Sequence, residues 1–239
     1  MFGNLKQDPT IQEAGDVLGG GGVLDTDIHK MVVEMAYADK SAGGALSLNL
    51  SFKGSNGTSL RTTFWVTSGT AKGGHNYYVD KQGNKQFLPG YSQANALCLL
   101  TVGEELANVA PETKTIGIYD YDLKKEVPKQ REVLMPLIGQ EVSLGVIRQI
   151  VDKNVKNDAG IYVPSGETRE ENEIDKIFRA SDGMTVVEIR AEATEAVFYN
   201  KWLEKNKGVV RNKAKGAVAG NAGGQPAADT PAEPAKKLF

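Results

Sequence analysis

Aromatic and basic residues recur in this chain at spacings that suit one chemistry, the holding of a flexible polyanion by stacking and charge. Arg61 and Trp65 stand four apart in an alternating segment, so they share one strand face. The glycine-rich stretch that follows carries Lys72, then Tyr77, Tyr78, Lys81 and Lys85. Tyr119 and Tyr121 share another strand face, and Arg148, Lys153 and Lys156 gather on a later strand and its loop. Flat rings stack bases without reading them while cations follow phosphates, and each stacked base is worth about 1–3 kcal/mol. Two plainer readings compete: Trp65 could pack against the C-terminal helix, and any one lysine could be ordinary surface.

Other chemistry is sparse. His29 and His75 are far apart and lack the spacing of a metal site, and Cys98 in Ala-Leu-Cys-Leu-Leu reads as core packing. Gly19 to Gly22 is not followed by the Gly-Lys-Ser/Thr of a phosphate loop, so it reads as a hinge. Glu112-Thr113-Lys114 has the Glu-x-Lys form that metal-dependent nucleases use, a tripeptide that also arises by chance. The expectation is a chain with no catalytic residues, no metal and no cofactor.

These residues must be positioned by a β-rich domain. Ala45–Phe52 alternates strictly, with Leu46, Leu48, Leu50 and Phe52 on one side, and Gly54–Gly57 supplies a hairpin turn. Leu60–Thr67 returns with Leu60, Thr62, Phe64 and Val66 inward, which sends Arg61 and Trp65 outward. Further strands are expected at 28–37, 115–121, 133–137, 141–151, near Ile177 and at 185–189, with a long polar hairpin over 152–174. One internal helix is expected over 91–108, capped by Ser92, and one C-terminal helix after Thr194. The class is mainly β, a small barrel with an OB-fold as leading candidate and a β-sandwich as alternative.

Domain organisation follows from composition: an N-terminal extension over 1–27, the folded domain over 28–207, and a tail over 208–239. The tail is rich in Ala, Gly and Pro and is expected to be flexible. It carries five Lys or Arg against two acids, +3, which leaves −5 for the rest of a chain whose net charge is −2. Any polyanion site must therefore be a local basic groove. With no run of 18 apolar residues and no signal-like N-terminus, the chain is expected to be a soluble intracellular protein without a membrane partner.

Met1-Phe2-Gly3-Asn4-Leu5-Lys6, the Thr67–Gly74 loop with Tyr77-Tyr78, and Leu88-Pro89-Gly90 resemble small OB-fold single-stranded-DNA-binding proteins of tailed bacteriophages. The resemblance spans most of 1–200. It implies non-catalytic protection of single-stranded DNA in phage replication or recombination, in the cytoplasm of an infected bacterium. A terminal Leu238-Phe239 also fits that family, whose tails recruit replication or recombination proteins. The family's tails are acidic, whereas Lys236 and Lys237 stand here before Leu238. A metal-dependent nuclease and a phage structural or host-interaction protein remain alternatives, and the oligomeric state is open, a homodimer included.

Overall fold

The computed structural model describes residues 22–120, 123–158 and 161–215. The glycine hinge at 19–21, Tyr121, and the tail from 216 with Leu238 and Phe239 lie outside the described residues.

β1 (Asp27–Lys40), β2 (Leu46–Gly54) and β3 (Ser59–Trp65) form an antiparallel meander. The alternation works as expected: Leu48, Leu50, Phe52, Leu60 and Phe64 are buried, and Leu46 at the strand start stays exposed. β8 (Glu141–Lys156) lies on the other edge of β1, and β9 (Tyr162–Arg179) pairs with β8 along almost its whole length. The main path is thus β3-β2-β1-β8-β9, and no ladder joins β3 to β9 among the described residues. The fold is mainly β, and the sheet is not closed into a barrel.

β6 (Glu112–Asp120) and β7 (Lys125–Val133) make a ribbon whose ladder with β1 among the described residues is the short stretch Tyr37–Val133 and Ala38–Glu132, with Arg131 of β7 3.4 Å from Asp39 of β1. The expected strand at 133–137 is therefore the end of β7 plus a 3₁₀ turn at Met135–Leu137. The expected polar hairpin over 152–174 is strand on both sides of residues 157–161, because β8 and β9 continue their ladder well beyond the core.

α1 (Pro89–Thr101) closes the core with Ala94, Leu97, Cys98 and Leu100. It begins before Ser92: Leu88 is the N-cap and Pro89 takes the first position, where its fixed φ suits a helix and its missing N–H is no loss. It ends at Thr101, short of 108, followed by Gly103 at φ 77°.

Four of residues 185–189, Thr185, Val186, Val187 and Ile189, are β-branched, which predicts strand, but Thr185 caps a helix, α2 (Val186–Arg190). The reason is a capping box: Glu188 N donates to Thr185 Oγ1 at 3.2 Å, and Thr185 N donates to Glu188 Oε2 at 2.9 Å. α3 (Val197–Asn206) starts after Ala196, not Thr194, and the same Glu188 accepts from Phe198 N at 2.7 Å. Trp202 of α3 enters a second core cluster with Ile147 and Phe178, and its Nε1 donates to Asp175 at 2.7 Å.

The chain does not leave the fold at Gly208. Gly208 N donates to Thr26 O, and β10 (Val210–Asn212) runs parallel to β8 opposite Arg148–Ile150. β1 pairs with this edge of β8 only as far as Val146, so β10 takes up backbone groups that β1 leaves. Arg211 lies 3.6 Å from Glu173, and Lys213 lies 2.7 Å from the same carboxylate. These two cations, expected to be loose in a tail, belong to the sheet. Among the described residues no helix is long and apolar enough to cross a membrane.

Candidate nucleic-acid interface

Among the described residues β3 pairs with β2 alone, and its register sets Trp65 opposite Ser47 and Arg61 opposite Ser51. All four lie away from the face that buries Leu60 and Phe64. Trp65 is 49 % exposed, and Arg61 is exposed, its guanidinium making no hydrogen bond or ion pair among the described residues. The ring is thus not covered by α3, whose own tryptophan fills that role.

Residues 67–88 spring from the end of β3 and return to α1. A 3₁₀ turn at Thr70–Lys72 is tied down by Thr70 N donating to Gly43 O at 2.8 Å, and Gly73 reverses the chain at φ 84°. A two-stranded ribbon follows, β4 (Tyr77–Val79) against β5 (Lys85–Phe87). Its turn is built on Asp80, whose carboxylate accepts from Asn84 N at 2.8 Å and Gln82 N at 3.0 Å. Those bonds, the one from Asn84 N foremost, hold the Asp80 carboxyl below its usual range.

On one face of the ribbon Tyr77 stacks with His75 at 4.8 Å between ring centroids, and Lys85 Nζ lies 4.6 Å from the centre of the Tyr77 ring. Phe87, opposite Tyr77 in register, lies 4.9 Å from Tyr91. Tyr78 falls on the other face and is 48 % exposed. Lys72, Lys81 and Lys85 make no ion pair among the described residues. The excursion therefore carries three cations without carboxylate partners and a row of rings next to the strand end that bears Trp65.

The second group of expected residues is different. Arg148 donates to Glu170 at 2.7 Å and to Asp25 at 3.0 Å, and the bond to Glu170 above all raises its pKa further. Lys153 lies 2.7 Å from Glu167, whose carboxyl it holds below the usual range. Both lie on β8, apart from the excursion, and both spend their charge on the neighbouring strand. Lys156 is closer to expectation, with its Nζ 5.5 Å from the centre of Tyr162, a ring 67 % exposed near the tip of the β8–β9 hairpin. Tyr119 is exposed on the β6–β7 ribbon.

His75, Phe87, Tyr91 and Tyr162 do not stand out as site residues from sequence. The i, i+2 spacing of His75 and Tyr77 is a usable signal for the first, since alternate residues of a strand share a face. Glu112 and Lys114 lie 2.7 Å apart on β6 and pair with each other. Among the described residues no group of three or more His, Cys, Asp or Glu side chains could hold a metal ion.

No protein-family model matches the chain, and no curated protein matches its sequence.

Proposed function

We propose that this chain is a non-catalytic, sequence-tolerant binder of single-stranded DNA that protects the strand during phage replication or recombination. The observation that carries this reading is the half-exposed Trp65 in line with Arg61, at the root of an excursion with Lys72, Lys81, Lys85 and the His75–Tyr77–Lys85 stack, the four cations having no ion pair among the described residues. Rings for bases and free cations for phosphates are the parts that single-stranded nucleic acid needs, and neither reads sequence. The path β3-β2-β1-β8-β9, with α1 between β3 and β8 in the chain, is read as a partly open barrel of OB type. Such barrels bind oligonucleotides across their second and third strands, where Arg61 and Trp65 lie.

The resemblance to phage single-stranded-DNA-binding proteins supports the same reading, with the cytoplasm of an infected bacterium as the place of action. Leu238 and Phe239 are then the residues offered to a replication or recombination partner. Anisotropy of labelled oligo-dT at low salt, with and without Mg²⁺, tests the function. Saturable binding to an oligonucleotide that stays intact, with weaker binding to duplex of equal length, is the expected result. Absence of binding, or shortening of the strand with Mg²⁺, overturns it.

A further inference from the structure

Beside the excursion lies a cavity of about 540 Å³, bounded by the ends of β2 and β3, by Gly74–Asn76 and by residues 106–111 after α1. Its floor is core: Leu48 and Val109 are 2 % and 5 % exposed. Its rim is polar and aromatic, with His75, Asn76 and Tyr91. The side-chain amide of Asn76, the imidazole of His75 and the hydroxyl of Tyr91 make no hydrogen bond among the described residues. An apolar floor with a few unspent polar groups at the edge is how small planar ligands are held, and the volume is in the usual range of about 300–1,000 Å³.

Resting on the function proposed above, we propose that this cavity takes one nucleobase of the bound strand, turned out of the stack. Continuity with the stacking row selects that occupant. His75 lines the cavity and also stacks on Tyr77, whose ring meets Lys85. A strand following those rings and that cation reaches the cavity mouth with a phosphate near Lys85 and the next base beside Asn76. The amide offers both a donor and an acceptor, so it can meet the edge of any base.

The test uses two strands of equal length, oligo-dT and an abasic deoxyribose-phosphate strand, each titrated by anisotropy at low salt. Ala107, exposed on the cavity wall, is replaced in Ala107→Trp to fill the space from the solvent side, and Asn76→Ala removes the amide without adding bulk. Both variants are checked by circular dichroism. The expected result is roughly ten-fold weaker oligo-dT binding by Ala107→Trp, within the range for removing one held base, a weakening in the same direction for Asn76→Ala, and unchanged affinity for the abasic strand. Unchanged oligo-dT affinity in both variants overturns the base pocket while leaving single-strand binding standing. Equal weakening on both strands overturns it too, since the cavity would then matter through the backbone path. If the unaltered protein binds neither strand, the proposed function itself has failed.

Discussion

Gly90, the second residue of α1, lies against the backbone of Trp65: a Cβ built on Gly90 would stand 2.7 Å from Trp65 N and 2.8 Å from its carbonyl carbon. The start of the helix and the end of β3 are therefore in direct contact, and the excursion between them is a loop pinned at its root. A side chain at position 90 must push one element off the other. We expect Gly90→Val to cost about 1–3 kcal/mol by overpacking, seen as a lower urea midpoint, and to weaken oligo-dT binding because Trp65 moves. Unchanged stability and affinity would show that the contact is slack.

Two tryptophans serve two roles and should separate in experiment. Trp202 stands against Gly145, where a Cβ would fall 3.1 Å from the indole, and it is 3 % exposed. Trp202→Ala should cost about 3–5 kcal/mol of stability. Trp65→Ala should leave the thermal midpoint nearly unchanged and weaken oligo-dT binding by about 1–3 kcal/mol. The reverse pattern, a lower midpoint with unchanged affinity for Trp65→Ala, would remove the stacking role.

The salt dependence should follow the unpaired cations and not the paired ones. Replacing Arg61, Lys72, Lys81 or Lys85 by Ala should each flatten the slope of log K against log salt by about 0.7 for each phosphate left without its cation. Arg148→Ala should leave that slope unaltered, because Glu170 and Asp25 already occupy its guanidinium. A slope that responds to Arg148 and ignores the other four would move the interface to β8.

How much of this is legible in the residues depends on how local the deciding interaction is. The alternation over 45–52 and 60–67 is a nearest-neighbour pattern, and it places β2, β3 and the outward Trp65 correctly. β10 is not legible, because Val210-Arg211-Asn212 is strand only through the stretch of β8 edge that β1 leaves. For 185–189 propensity points one way and the Thr185–Glu188 box the other, and two reciprocal hydrogen bonds prevail. The engagement of Arg148 and Lys153 depends on acids 22 and 14 residues away brought over by the β8–β9 register. No count of positive residues could show that.

The boundary of the folded part gives a direct comparison. Removing residues 209–239 deletes β10 with the Arg211 and Lys213 ion pairs to Glu173, whereas removing 216–239 keeps them. The longer deletion should lower the thermal midpoint more than the shorter one. Equal midpoints would mean that β10 adds no stability.

Cys98 is fully buried, and burial pushes its thiol up to about 12 from an ordinary 9.0. In the native state it should not react with a thiol reagent at pH 8, and it should react once urea unfolds the chain. Between pH 9 and 12 the unfolded thiol gives up its proton while the folded one keeps it. The folded state then holds more protons, so its stability falls as pH rises through that window. Cys98→Ala should show a shallower alkaline loss of stability than the unaltered protein. Equal slopes would show that the thiol ionises alike in both states.

The central claim is that Trp65 stacks on a base of bound single-stranded DNA. Titrating the protein and its Trp65→Phe variant with oligo-dT, following tryptophan emission at low and high salt, tests it most directly. The expected result is saturable quenching that weakens with salt and disappears in Trp65→Phe, where the buried Trp202 alone remains. Equal quenching in both proteins, or no saturable change in either, would contradict it.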